Sequence, residues 1–181
     1  MIVSDGPGEM PVSLNEARRW MRMGADDEDA VVAQIVRAAT NICEAFVGRA
    51  LIVRPIEEVV ALDGGAVRLA MRPVVAVDGV ALLPPGGDAV ALDPGGYGVA
   101  IGRDGAARVT VHERRDAARA RIAYRAGMAD SANGIPEAIR QGIIRMAQYL
   151  HLARDGDDAA PPAAVAALWQ PWRRLTLGGG V

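Results

Sequence analysis

The stretch that most constrains this fold runs from Asp26-Asp27-Glu28-Asp29 to Phe46-Val47-Gly48. At about 100° per residue, Val31, Ile35, Ala38, Ile42 and Phe46 share one face, and Val32, Ala39 and Cys43 widen it. Gln34, Arg37, Thr40, Asn41 and Glu44 gather opposite. This predicts one long helix with an apolar stripe wider than a surface helix needs. Four acids sit where the helix dipole favours negative charge, and Gly48 stands where a left-handed cap belongs. Such a helix requires neighbours on both flanks, and the rest of the chain must supply them.

Before it, Ser13-Leu14-Asn15-Glu16 fits a capping box and predicts a short helix from residue 14 to about 23, ending at Gly24. Ala17, Trp20 and Met21 give that helix its apolar side. From residue 51 the texture changes to short β-like runs. Residues 51–62 read as one strand, which Pro55 confines to an edge or a bulge. Asp63-Gly64-Gly65 turns the chain. Runs at 67–71, 74–77 and 80–83 follow, the last two joined by Asp78-Gly79 as a hairpin. Weaker runs cover 89–92 and 97–101, and 108–112 with 119–124 are expected to form the final pair. Ile135-Pro136-Glu137 opens a third helix, with Ile139, Ile143, Met146, Ala147 and Leu150 inward and Arg140, Gln141, Arg145 and Gln148 outward. Asp155-Gly156-Asp157-Asp158 ends it, and Pro161-Pro162 opens a last helix from 163 to about 172.

The expected class is α+β: an α-helical bundle body of about four helices with an antiparallel β insertion between the second and third. The N-terminal helices span 13–48, the β-rich insertion 51–125, the C-terminal helices 135–172, and a flexible tail 173–181.

Chemistry is sparse. His112 and His151 are the only histidines, and Cys43 is the single cysteine, so no metal site is expected and the thiol reads as a small buried hydrophobe. A disulfide framework is excluded, which points to a reducing compartment. No run approaches the ~18 apolar residues of a membrane span, and the start lacks signal-peptide character. Gly96-Tyr97-Gly98 with Gly102 misses the dinucleotide spacing, and a chain without lysine has no phosphate-loop Gly-Lys. No cofactor is expected. The rival reading is a small hydrolase or sugar-modifying enzyme, which needs acids such as Asp88, Asp93, Asp104 and Glu113 to converge in the β block. A nucleic-acid-binding regulator is disfavoured by a net charge of −2.

Two constellations stand out. In the strand at 119–125, alternation puts Arg119, Arg121 and Arg125 on one side and Ala120, Ile122 and Tyr124 on the other. That arginine face could be a solvated sheet surface, a DNA-facing patch, or a contact to the acids Asp26, Asp27, Glu28 and Asp29 of a neighbouring subunit, as in a ring-closing heterologous contact. Trp169 and Trp172, three apart on the last helix, either pin that helix to the body or serve as a docking anchor.

The order of elements resembles the head–tail connector (adaptor) family of tailed bacteriophages and of the phage-like gene transfer agents of alphaproteobacteria. The residues that carry the resemblance cover nearly the whole chain. Val12-Ser13-Leu14-Asn15-Glu16-Ala17 and Asp26-Asp27-Glu28-Asp29-Ala30 open the first two helices. Gly48-Arg49-Ala50-Leu51 leads into the β region, which Tyr124-Arg125-Ala126-Gly127 closes. Ile135-Pro136-Glu137-Ala138-Ile139-Arg140-Gln141 and Pro161-Pro162-Ala163-Ala164-Val165 open the last two helices. The resemblance implies that residues 1–181 form one adaptor domain, a structural protein without catalytic residues. It implies a homo-oligomeric, twelvefold ring under the portal protein, extending the channel for double-stranded DNA towards the stopper and tail. The chain would be made in the bacterial cytoplasm, carried in the particle at the head–tail interface, and would touch no membrane. A C-terminal portal contact would employ Trp169, Trp172, Arg173 and Arg174.

Overall fold

In the computed structural model, the described residues are 2–4 (backbone), 9–22, 29–152 and 160–173. Asp26, Asp27, Glu28, Arg174, the tail from 175 and the turns predicted at Gly24 and at 155–158 lie outside them. The described residues contain four α-helices and two antiparallel sheets, an α+β fold. The chain divides into two compact units. One comprises Met1–Gly8 and Val53–Asp130, the other Glu9–Ile52 and Ser131–Val181.

The first unit is built around one strand. β1 (Ile2–Ser4), β2 (Arg54–Ala61), β4 (Val74–Leu83), β5 (Val90–Ala91) and β8 (Arg119–Ala126) form a sheet ordered β1-β2-β8-β4-β5. β3 (Val67–Arg68), β6 (Tyr97–Ile101) and β7 (Ala107–Val111) form the other, ordered β3-β7-β6. β8 sits at the centre of the larger sheet. Its alternation is as predicted: Ala120, Ile122 and Tyr124 are buried with Ile56, Val80, Leu82, Val109 and Val111 in one core.

Two sequence expectations fail here. Asp78-Gly79 is no hairpin: residues 74–83 run as one strand, and the register shifts between Val77 and Gly79 mark a bulge. Continuous pairing with β8 on both sides of the bulge outweighs the local turn preference of the dipeptide. Nor do 108–112 and 119–124 pair with each other, because β7 joins β3 and β6 while β8 joins β2 and β4. Pro55 lies opposite Arg125, beyond the end of β1, whose pairing with β2 stops at Ile56. Its missing N–H therefore breaks no ladder on that side.

The second unit holds α1 (Leu14–Met21), α2 (Asp29–Val47), α3 (Glu137–Leu152) and α4 (Ala163–Trp169). The capping box forms: the Glu16 backbone N–H donates to the Ser13 hydroxyl at 3.2 Å, and the Ser13 N–H donates to Glu16 at 3.0 Å. α1 stops early, at Arg22, which takes the left-handed conformation and returns its N–H to the Arg18 carbonyl. Gly48 caps α2 with φ +68°, as expected, and Glu44 O accepts its N–H at 2.8 Å.

α2 is turned relative to the sequence expectation. The buried row is Val32, Val36, Ala39, Thr40, Cys43 and Val47, so Val32, Ala39 and Cys43, the margin of the expected stripe, are inward as expected, while its middle, Ile35 and Ile42, is turned aside. Thr40 escapes the cost of burial by donating its hydroxyl to the Val36 carbonyl at 2.8 Å. Small residues in the buried row let α1 and α3 approach closely, and the larger side chains are left outward. Val31 and Ala38 are exposed, while Ile35 and Ile42 are half-buried. By length and apolarity alone α2 could cross a membrane, but it packs against α1, α3 and α4.

Candidate assembly surfaces

The outer face of β8 carries the arginines singled out in the sequence. Arg125 Nε donates to both Asp78 carboxylate oxygens, at 3.1 and 3.3 Å, across the β4 bulge. Arg121 lies 3.8 Å from Glu57 on β2, a looser and half-exposed pair. Arg119 is exposed at the start of the strand, opposite Leu83 and Ala61. Gly79, Ala81 and Ala123 make a low floor between these charges. Together with Leu92, Pro94 and Tyr97 they line a groove of about 470 Å³. Two of the three arginines thus meet acids of their own chain, yet both pairs stay accessible, and such pairs are weak enough to be exchanged for a partner's.

Asp29 is the one member of the acidic cluster within the described residues. It is ion-paired to Arg18 on α1, so at least this acid has an internal role.

The C-terminal residues divide by burial. Trp169 is fully buried, and its indole N–H donates to the Ile139 carbonyl at 3.2 Å. Its ring packs directly on Gly142, where an added Cβ would come within 2.1 Å of the indole nitrogen. Phe46 closes the other side, with ring centroids 5.7 Å apart. Trp169 is therefore a pin within the chain and is not presented outward. Beyond it the helix tightens into a 3-10 turn, Gln170–Trp172. Trp172 is half-buried, and the guanidinium of exposed Arg173 stacks over Phe46 at 5.1 Å.

Two polar arrangements, one buried and one partly exposed, were not legible in the sequence. Glu58 is buried and accepts from the Tyr124 hydroxyl at 2.9 Å and from the Ala70 N–H at 3.1 Å. Tyr124 in turn accepts the Met71 N–H at 3.3 Å, so the pair ties the segment after β3 to the central strand. Burial and the neighbouring Glu58 push the Tyr124 hydroxyl well above the usual tyrosine range, so it stays a donor. In the helical unit Arg140, predicted to face outward, instead reaches Glu16 at 2.5 Å and the Pro11 carbonyl at 3.1 Å. The Ser13 backbone N–H, then its hydroxyl and Arg140, hold the Glu16 carboxyl below its ordinary value despite some burial.

Two of the four acids that a catalytic reading names have partners of their own. Asp104 accepts the Ala106 N–H in the turn between β6 and β7, and Glu113 lies 3.6 Å from Arg115. Among the described residues no three His, Cys, Asp or Glu form a group able to hold a metal ion. The Cys43 thiol is buried, and desolvation, followed by the charge of Glu44, pushes it far up.

What these surfaces define is a class: an α+β protein with ion-paired faces and a last helix tethered through its aromatic residues. No protein-family model and no curated protein matches the sequence. The fold is nonetheless found among solved structures. The chain is similar to a chain in the virion of a native gene transfer agent (GTA) particle, with TM-score 0.76 and 23% identity, covering 99% of this chain and 98% of that one. It is similar to a chain in the neck of an empty GTA particle computed with C6 symmetry, with TM-score 0.77, 24% identity and the same coverage of 99% and 98%. A third, in the neck of a native GTA particle computed with C12 symmetry, gives 0.76 and 24% over 99% and 98%. What is shared is the fold, over essentially the whole of both chains.

Proposed function

We propose that this chain is a non-catalytic head–tail adaptor, a helical body bearing a β insertion, which assembles as a ring beneath the portal of a phage-like gene transfer agent particle. The ring extends the channel through which double-stranded DNA passes without sequence-specific contacts, and joins the capsid to the stopper and tail. The observation that carries this reading is end-to-end likeness to chains of GTA necks, with coverage of 99% and 98%. The net charge of −2 agrees with it, since a strongly basic lumen would hold passing DNA by its phosphates. So does the apolar strip on α2 that Val31 and Ala38 leave open, which a neighbouring subunit would cover.

In this reading Arg119, Arg121 and Arg125 exchange internal partners for acids of the next subunit, those at 26–29. The portal contact falls to Trp172, Arg173 and Arg174, with Trp169 holding their base in place. The test is co-sedimentation with purified portal protein. The parent chain should bind, and a triple Trp172→Ala, Arg173→Ala, Arg174→Ala variant that melts like the parent should not. Unchanged binding by that variant would remove the portal assignment. Deleting residues 165–181 is the wrong experiment, because it takes the buried Val165 and Trp169 with it.

A further inference from the structure

Among the described residues, four strands end a sheet in the β unit: β1, β5, β3 and β6. An edge strand displays unpaired backbone groups, and chains blunt such edges with short strands, charge or proline. β5 and β3 have two residues each, and β3 carries Arg68. β6 has five, Tyr97-Gly98-Val99-Ala100-Ile101, with no charge and no proline.

Its hydrogen-bond phase can be read from its ends. His112 N–H donates to Gly96 O, and Gly102 N–H donates to Ala106 O. In an antiparallel ladder bonded residues alternate, so Gly98 and Ala100 spend their backbone groups on β7. Tyr97, Val99 and Ile101 turn theirs to the open side. The side chains of Val99 and Ile101 lie on the face of buried Val109 and Ala107, yet remain 42% and 43% exposed. The core is thus left uncovered along this edge.

We infer that β6 is a strand-pairing interface between copies of this chain, and that its occupant is the open edge of β1 from the next copy. The partner must be an extended strand, because only a backbone satisfies a row of N–H and C=O groups. Two further edges are charge-free, β5 with two residues and β1, Ile2-Val3-Ser4, with three; β1 is the longer and, among the described residues, is paired on one side only. The two edges lie on opposite flanks: β6 packs against β4, whereas β1 is separated from β4 by β2 and β8. Unlike edges on opposite flanks give a head-to-tail contact that repeats from copy to copy, and this closes into a ring when the rotation permits. The inference rests on the ring reading above and names its contact.

The test uses particles from cells producing a Val3→Cys, Val99→Cys double variant, treated with a short thiol cross-linker; native Cys43 is buried and stays silent. A ladder of covalent multimers from the double variant, and none from either single variant, is the expected result. Dimers from Val99→Cys alone would mean that like edges meet across a two-fold, and would overturn the inference. So would a chain present in particles without any ladder. A chain absent from particles would sink the ring reading as well. Val99→Pro removes an outward N–H without touching a β6–β7 bond, and should melt like the parent while falling roughly tenfold in incorporation. Val99→Lys, which only charges the edge, should do the same. Parental incorporation of both would contradict the assignment.

Discussion

The β unit and the helical unit are held in different ways. In the first, β8 is registered residue by residue against β2 on one side and β4 on the other, so its cohesion is spread along a whole strand. In the second, the last helix buries two side chains, Val165 and Trp169, and its C-terminal end is fixed by one indole seated on one glycine, with Phe46 beside it. A spread contact leaves the outer face and the edges free to vary or to bind. A point contact ties the C-terminal residues to the integrity of their own unit, so binding there and folding there are coupled.

The largest effect should come from breaking the point contact. Trp169→Ala is expected to cost about 3–5 kcal/mol of unfolding free energy. Hydrogen exchange should show the loss across α3 and α4, with β8 amides retained; equal loss in β8 would erase the contrast between the units. Gly142→Ala pushes a methyl into the indole and should cost about 3 kcal/mol by denaturant titration, although alanine is the better helix former. Tyr124→Phe leaves buried Glu58 and the Met71 N–H each short of a partner, for about 2 kcal/mol, read in the β unit. Asp78→Ala removes only a half-exposed ion pair and should cost less than about 1 kcal/mol. A larger loss there would mean that the outer face carries the fold.

The smallest effect sharpens the helical side. Glu16 has its carboxyl held below the ordinary 4.5. Its contribution is therefore complete above that value and is lost as pH falls through the lower native one. In Glu16→Gln the acid branch of the stability curve should be flatter than in the parent. An identical branch would show that the Ser13 and Arg140 contacts contribute nothing.

Local signals were legible in the sequence where a single segment decides them. The Ser13–Glu16 box, the Gly48 cap and the alternation of residues 119–124 need no knowledge of distant partners, and each is present. What failed was non-local. Asp78-Gly79 has hairpin chemistry, but β8 runs along both halves of β4 and turns the dipeptide into a bulge. The apolar stripe of α2 shows its margin, Val32, Ala39 and Cys43, as the buried side, because close helix packing selects these smaller residues over Ile35 and Ile42. Among the candidate site residues, the arginine face was legible and its internal partners Asp78 and Glu57 were not, since pairing depends on strand order. Gly142 did leave a signal. A glycine in mid-helix costs about 1 kcal/mol and asks for a close neighbour, and that neighbour is Trp169.

The central claim is that this chain is a ring component of a particle neck. Quantitative mass spectrometry of purified particles from the producing cells tests it most directly, by counting copies of this chain against copies of the portal protein. A ratio near one to one is the predicted result. Absence of the chain from purified particles would contradict the account.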